Sequence, residues 1–237
     1  MKTTLFSFYK SLLAALLLFI SVAGWGQATL YSTNFGTNTS LVTGWSSSST
    51  SSGWNASTSS ASSTYTGASG GSNIVFNGTG TNGITHTLTY NNNLSTVGYT
   101  NITLLWGGRG TSTFNGDIII EWSSNGTTWN KITYAYTKNG NAWALVNSGN
   151  RISLPSGAEE VSNLQFRFSA AATNNGNYRI DDFSVQGTAT PTCAASTVSS
   201  TVSAVNNSTS GVDFSGSITN AGGGTNITER GFQYPLL

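Results

Sequence analysis

The sequence predicts an all-β protein, a β-sandwich followed by the opening of a second β-domain. Short runs rich in β-branched and aromatic residues recur between turns of Gly, Asn and Ser, which is typical of sandwiches and barrels. No amphipathic helical window follows the N-terminal segment. The chain has a single cysteine, Cys193, so no internal disulfide is expected and the hydrophobic core must supply the stability.

Alternating polarity marks the clearest strands. In residues 84–90 the even positions are Ile, His, Leu and Tyr and the odd ones are Thr, so the even positions face a core and the threonines face water. Two further runs have the same alternation, with the core rows Ile102, Leu104, Trp106 and Leu164, Phe166, Phe168. In the second run we expect Gln165 and Arg167 to point outward.

A hairpin is predicted around Asn125 and Gly126. Its two strands carry the apolar rows Ile118, Ile120, Trp122 and Ile132, Tyr134, Tyr136. A two-residue turn would place these rows on opposite faces, whereas a three-residue loop over 124–126 brings them together. We therefore expect the three-residue loop, closed by Gly126 in the left-handed conformation.

The last strand of the sandwich, 178–185, changes its alternation midway. Its first two apolar residues are Tyr178 and Ile180, at even positions, and its last two are Phe183 and Val185, at odd positions. Because successive side chains of a strand alternate in direction, a regular strand would send one pair away from the core. A β-bulge at 181–182 restores both pairs to the core.

Residues 1–26 have the pattern of a signal peptide. Lys2 and Lys10 precede an apolar run over 12–23, and small residues follow it. The run is shorter than the ~20 apolar residues that a membrane-spanning helix needs. We therefore expect a secreted protein whose mature chain has no transmembrane segment.

Three further segments follow the signal peptide. We assign 27–188 to the sandwich, 189–192 to a linker and 193–237 to an incomplete second domain. The last segment offers short Thr- and Val-rich strands, fewer than a closed sandwich needs.

The composition argues against partners that depend on charge. Only 7% of residues are charged, and nine Lys and Arg face eight Asp and Glu. Removing the two lysines of the signal peptide leaves seven basic residues and a net charge of −1. No basic patch is present to neutralise phosphates, so we expect no nucleic-acid partner.

Tryptophans in polar sequence are the candidate ligand contacts. Between Ser46 and Thr64, 14 of 19 residues are Ser or Thr, which predicts a surface loop or frayed edge carrying Trp54, with Trp45 just before it. Trp129 falls on the polar row of the hairpin, near Glu121. Exposed rings stack on sugars, and Arg109 in a Gly-rich turn can donate hydrogen bonds to hydroxyls or uronates. The alternative is that these rings fold back over the ends of the sandwich.

Three motifs carry a resemblance to a known group of modules. Residues 106–113 (WGGRGTST), 120–129 (IEWSSNGTTW) and 178–185 (YRIDDFSV) resemble the jelly-roll modules, galactose-binding-like or MAM-like, of type IX-secreted bacterial surface proteins. The tail, through 228–232 (TERGF), resembles the first part of a fibronectin-III-like or immunoglobulin-like repeat. The resemblance implies a jelly-roll β-sandwich with a non-catalytic role.

The resemblance also implies a structural calcium. Such modules sometimes hold one, and the oxygen ligands here would be Asp181 and Asp182, helped by backbone carbonyls and the first strand near Asn34. The alternative is a plain β-bulge without a metal.

No set of ionisable residues has catalytic spacing. Asp117 and Glu121 share a strand face ~13 Å apart, whereas a glycosidase pair needs ~5–9.5 Å. The only histidine, His86, lies on a core-facing row, and one His with one Cys cannot close a zinc site. We therefore expect no enzyme.

The function that these observations favour is a non-catalytic module, secreted or on the cell surface, for binding or adhesion, with glycans as the partner class. Two alternatives stay open. The chain is either a structural spacer of a larger modular protein or an accessory domain of a secreted hydrolase.

Overall fold

The computed structural model describes residues 26–49, 53–78, 83–135, 140–172, 176–190, 197–198 and 218–220. The chain divides into two compact units, Met1–Ala189 and Thr190–Leu237. The described part of the second unit is one antiparallel pair, Thr197–Val198 with Ile218–Asn220. Residues 1–25, Cys193 and most of 193–237 lie outside the described residues, so the signal peptide and the incomplete second domain stay predictions.

The first unit is a β-sandwich of two antiparallel sheets, as the sequence predicts. The seven-stranded sheet has the order β10-β6-β12-β4-β3, with β1 added beside β12 and β9 beside β6, and the five-stranded sheet has the order β2-β5-β11-β7-β8. The strands are β1 Gln27–Thr33, β2 Trp45–Ser47, β3 Trp54–Ser57, β4 Asn73–Asn77, β5 Thr85–Leu94, β6 Tyr99–Gly110, β7 Ile119–Ser123, β8 Asn130–Lys131, β9 Ala144–Leu145, β10 Ile152–Ser153, β11 Leu164–Ala171 and β12 Asn177–Ala189. Short 3-10 segments lie at Val146–Gly149 and Ser156–Ala158.

The hydrophobic core lies between the two sheets. Both predicted core rows are confirmed, since Ile102, Leu104, Trp106 and Leu164, Phe166, Phe168 are all fully buried. The rings of Trp106 and Phe168 meet edge to face at 5.2 Å between centroids, which joins β6 of one sheet to β11 of the other.

The predicted strand at 84–90 begins one residue late. In β5, His86, Leu88 and Tyr90 are buried as expected, and the alternating threonines are exposed or half-buried. Ile84 is 47% exposed, so its assignment to the core row was wrong. It precedes the strand and therefore escapes the alternation that buries its neighbours.

The hairpin keeps its predicted faces but has a longer loop. Trp122 pairs with Asn130, so the loop covers the seven residues between them rather than the predicted three. The loop is closed by side chains, because Asn125 Oδ1 accepts hydrogen bonds from the backbone N–H of Thr127 (2.9 Å) and Thr128 (2.8 Å). Gly126 has a φ of 74°, which confirms the left-handed conformation. Tyr136 lies outside the described residues.

The longer loop also changes the surroundings of Gln165. A Cβ at Gly126 would lie 3.2 Å from the Gln165 amide, so the loop covers this side chain. Gln165 lies on the outward row, as expected, but is buried beneath the loop.

The predicted bulge in β12 is confirmed. The pairing of β12 with β6 shifts between Asp181 and Ser184, and Asp182 has a φ of 51°. The shift brings both halves of the apolar pattern inward, since the four residues Tyr178, Ile180, Phe183 and Val185 are fully buried.

The Ser- and Thr-rich tract is shorter as a loop than its composition predicts. It contributes β2 to the edge of the five-stranded sheet and β3 to the edge of the seven-stranded sheet. The expectation of an edge is therefore confirmed, and that of a continuous surface loop is wrong. Each strand begins with a tryptophan that packs into the core, and that packing stabilises a segment whose other residues have little to bury.

Candidate functional site

Trp45 is not an exposed ring. It is 6% exposed, and its Nε1 donates a hydrogen bond to the Tyr31 hydroxyl at 2.8 Å. Its ring packs edge to face against Phe35 and Phe183, with centroids 5.4 Å away in both cases. The expectation that Trp45 stacks on a sugar is corrected, because the first residue of β2 faces the core.

Trp54 is also buried. It has no exposed surface, its Nε1 donates to the backbone carbonyl of His86 at 3.2 Å, and its ring lies 5.1 Å from that of Phe76. The polarity of the neighbouring residues predicted exposure for both tryptophans, but in an edge strand polar neighbours only mark the outward positions. Both rings therefore belong to the core, as the alternative allowed.

Trp129 lies on the outer side of the five-stranded sheet and is half-buried. The guanidinium of Arg167 lies over its ring, 4.3 Å from the centroid. Arg167 in turn pairs with Glu121, with Nη2 2.8 Å from Oε2. Trp129 is thus near Glu121, as the hairpin pattern predicts, and the cation–π contact fixes the position of its ring.

A polar row crosses the outer face of this sheet at the level of Arg167. Cross-strand pairing sets its order as Ser46, Thr89, Arg167, Glu121, Lys131. The two end residues are exposed and the three central ones are half-buried. The surface therefore offers hydroxyl groups and an ion pair beside one aromatic ring.

The ion pair removes most of the charge from this surface. Both Nε and Nη2 of Arg167 lie 2.8 Å from Glu121 Oε2, and Ser169 Oγ lies 3.4 Å from the same oxygen. Because both partners are only partly exposed, the pair persists as a local dipole rather than as two free charges. This outer face suits an uncharged ligand.

Arg109 lies on the other sheet. It is in β6, on the outward row that alternates with the buried Trp106, and its Nε donates to the backbone carbonyl of Asn141 at 2.8 Å. Trp129 and Arg109 therefore do not form one site, because the sandwich separates the outer faces of its two sheets. The prediction that they act together is corrected.

The outer face of the seven-stranded sheet is partly covered. Arg179 Nη1 donates to the carbonyl of Ser59 at 2.9 Å and to Asn73 Oδ1 at 2.8 Å, which holds the segment after β3 over the sheet. Trp143 reaches this segment from the other side, since its Nε1 donates to the carbonyl of Ser60 at 3.0 Å. These contacts were not predicted, because no local pattern in the sequence relates 59–60 to 143 and 179.

Asp182 anchors the same segment. Its Oδ2 accepts hydrogen bonds from the Tyr65 hydroxyl, from the backbone N–H of Ser69 at 3.2 Å and from Ser62 Oγ at 3.4 Å. Burial, and then the hydrogen bond to Asp182, raise the pKa of Tyr65 above its ordinary value, so this hydroxyl keeps its proton and remains a donor.

Asp181 has different surroundings. It has no exposed surface, its Oδ1 accepts the backbone N–H of Asp182 at 2.8 Å, and no described residue donates to its Oδ2. Burial, and then the neighbouring charge of Asp182, raise the pKa of Asp181 to about 7.

The predicted calcium ligands separate into two places. Asn34 and Asp182 line one pocket of about 480 Å³ together with Ser32, Thr33 and Phe183, whereas Asp181 does not line it. Asn34 Oδ1 accepts the N–H of Gly36 at 3.1 Å, so its coordinating lone pair is shared. No cluster of three or more His, Cys, Asp or Glu is present among the described residues, and Ca²⁺ takes six to eight oxygens. Asn34 and Asp182 fit a calcium ligand set with backbone carbonyls of β1; Asp181 does not.

Comparison with known proteins gives a likeness of fold only. No family model and no curated protein matches the chain. One similar solved structure is TmCBM61 in complex with β-1,4-galactotriose, at 12% identity and a TM-score of 0.43 over 60% of this chain and 88% of that one. A second is the CBM22-1 xylan-binding domain of Xyn10C from Paenibacillus barcinonensis, at 13% identity and a TM-score of 0.46 over 72% of this chain and all of that one.

A third similar structure is the K1 cleaved adhesin domain of Lys-gingipain from Porphyromonas gingivalis W83. It has 14% identity and a TM-score of 0.43 over 69% of this chain and 99% of that one. At such identities the three structures describe the architecture that this chain shares, and the site must be argued from its own residues.

Proposed function

We propose that the first unit is an extracellular, non-catalytic module that binds a neutral polysaccharide on the outer face of its five-stranded sheet. The observation that carries the proposal is the Trp129 ring, which Arg167 fixes on that face while Glu121 neutralises Arg167. A ring held in place loses little conformational entropy when a ligand stacks on it.

The chemistry of this face matches a sugar chain. A pyranose ring presents apolar C–H groups to an aromatic ring and hydroxyls at its edges. Thr87 and Thr89 of β5 are half-buried and lie on the same outer face, where their hydroxyls are placed to exchange hydrogen bonds with those edges. A neutral ligand loses nothing by the absence of a basic groove.

The expected affinity is low for one site. Stacking of one ring contributes ~1 kcal/mol or somewhat more, so a single platform binds with a dissociation constant of ~0.1–1 mM. Tight attachment then requires several copies acting on one polymer.

The carboxyl groups support a non-catalytic role. Asp181, whose pKa is raised as a general acid would require, has no exposed surface and cannot touch a bound sugar. Glu121 is held by Arg167 in an ion pair, which favours its charged form and leaves no proton to donate.

The extracellular location rests on the pattern of residues 1–26. Within the described ranges, no helix is long and apolar enough to cross a membrane.

Affinity electrophoresis tests the proposal. The mature chain and its Trp129→Ala variant are run through gels containing neutral plant, algal or host polysaccharides. We expect at least one polysaccharide to retard the parent chain and the variant to lose the retardation, because the stacking ring is gone. The melting temperature of the variant should match that of the parent, since the ring lies outside the core.

Val97→Ala is the control, because Val97 is an exposed apolar residue in the turn between β5 and β6 and not on the proposed surface. It should be retarded like the parent. If no neutral polysaccharide retards the parent, the chain is a structural spacer and the proposed function is wrong.

A further inference from the structure

Two arginines face each other on the outer side of the seven-stranded sheet. Arg109 of β6 and Arg179 of β12 are directly paired across adjacent strands. Both alternate with core residues and therefore point away from the core. Arg179 is 8% exposed, whereas Arg109 is half-buried and reaches the surface.

No carboxylate of the first unit neutralises this pair. Of the eight acidic residues in the sequence, Asp213 and Glu229 lie after Ala189, which leaves six in this unit. The six are Asp117, which is exposed, Glu121, which pairs with Arg167, Glu159 and Glu160, which accept the N–H groups of Asn101 and Gly98, and Asp181 and Asp182 in the bulge. Arg167–Glu121 is the only ion pair that the described residues form.

The hydrogen bonds of the pair go to neutral oxygens. Arg179 Nη1 donates to Ser57 Oγ, the Ser59 carbonyl and Asn73 Oδ1, while its Nε is buried and no described residue accepts from it. Arg109 uses its Nε on the carbonyl of Asn141, a bond that orients the guanidinium along the sheet.

Like charges directly opposite one another on neighbouring strands destabilise a sheet. The effect is visible at Arg179, whose pKa is lowered first by burial and then by the charge of Arg109. An anion between the two guanidinium groups would remove this repulsion and accept from donors that have no other partner.

We propose that Arg109 and Arg179 form a binding site for an oxyanion, the carboxylate of a uronic acid or a sulfate group. Both are planar anions or carry planar faces of oxygens that match the fork of a guanidinium. The site is on the opposite sheet from Trp129 and does not depend on the proposed neutral-glycan surface. A polysaccharide carrying both neutral and acidic sugars would then contact the two faces separately.

Thermal unfolding of the full chain tests the site. Sodium sulfate is compared with sodium chloride at equal ionic strength, and a galacturonate trisaccharide with neutral maltotriose. We expect sulfate or galacturonate at ~20 mM to raise the melting temperature by about 2 °C more than its control, because a ligand of the native state alone stabilises it.

The variant Arg109→Gln should lose this increment, because it removes the exposed half of the site. Lys131→Gln removes the same charge from the five-stranded sheet and should keep the increment, as should Trp129→Ala. The last variant separates this site from the proposed glycan surface, since each can fail without the other.

Two outcomes identify the ligand. Stabilisation by both anions indicates a general oxyanion site, and stabilisation by galacturonate alone indicates an acidic glycan. The proposal is overturned if neither anion exceeds its control, or if Arg109→Gln responds like the parent chain.

Discussion

Asp181 and Asp182 are adjacent in the chain, yet the bulge gives their carboxyl groups different surroundings. Asp182 accepts three hydrogen bonds from the segment 62–69 and is thus stabilised as a carboxylate. Asp181 is fully buried with one oxygen lacking a described partner, and its pKa is raised to about 7. The sandwich therefore contains a carboxyl group whose ionisation works against folding.

This predicts a pH-dependent gain from Asp181→Asn. Between pH 4 and 7 the unfolded chain has released the Asp181 proton while the folded chain retains it, so the free energy of unfolding of the parent falls over this window and levels off above pH 7. The variant has no such loss. We expect its melting temperature to exceed that of the parent by about 2–4 °C at pH 8 and by little at pH 4.

The measurement is calorimetry or circular dichroism at both pH values. Asp117→Asn is the control, because Asp117 is exposed, and its difference from the parent should not change with pH. An equal advantage of Asp181→Asn at pH 4 and pH 8 would mean that the carboxyl is not protonated in the fold.

At the scale of elements, local side chains determine the hairpin between β7 and β8. Asn125 and Ser123 satisfy the backbone of a seven-residue loop, and Ser123 Oγ accepts the N–H of Gly126 at 2.9 Å. The apolar rows established that an odd-numbered loop was needed, but three residues and seven satisfy that condition equally. The hydrogen bonds of Asn125 select the longer one, and their effect cannot be derived from the alternation.

Gly126→Ala tests how the loop contacts β11. The substitution forces a side chain into the left-handed conformation and places a Cβ 3.2 Å from the Gln165 amide. We expect a melting temperature lower by about 3–6 °C, since the backbone strain alone is ~1–2 kcal/mol.

Gly67→Ala is the matched control. Gly67 has a φ of +89° with nothing within 4 Å of its Cβ position, so its substitution carries the strain without the contact. The difference between the two variants measures the contact with Gln165. Equal losses would show that the loop does not press on β11.

For the whole molecule, calcium binding stays a prediction with a narrower ligand set. A ligand of the native state raises the stability of the entire sandwich. If calcium binds at Asp182 and Asn34, the melting temperature should rise by a few degrees in 5 mM calcium and fall again with chelator, within the ~2–4 °C expected for each kcal/mol.

Asp182→Ala should abolish the rise. Because this variant also loses three hydrogen bonds, Asn34→Ala provides a second test that leaves the anchored segment intact. A melting temperature of the parent that is independent of calcium would remove the site and leave a plain bulge.

The sequence alone determined the fold class, the core rows of β6 and β11 and the bulge of β12. These features depend on the alternation of side chains along one strand, and a chain's own residues reveal that period wherever one face is buried. The change of alternation between Ile180 and Phe183 could be resolved only by a bulge, so its position followed from residues within one strand.

Only the tertiary structure decided which outward residues share a surface. Trp45 and Trp54 begin edge strands whose inward side is set by partners far along the chain, and Arg109 and Trp129 are on different sheets because of strand order. Arg179 lies opposite Arg109 through a pairing between β6 and β12, which are separated by most of the five-stranded sheet's sequence. Local periodicity specifies a face, but the long-range pairing of strands specifies its neighbours, and binding sites are made of neighbours.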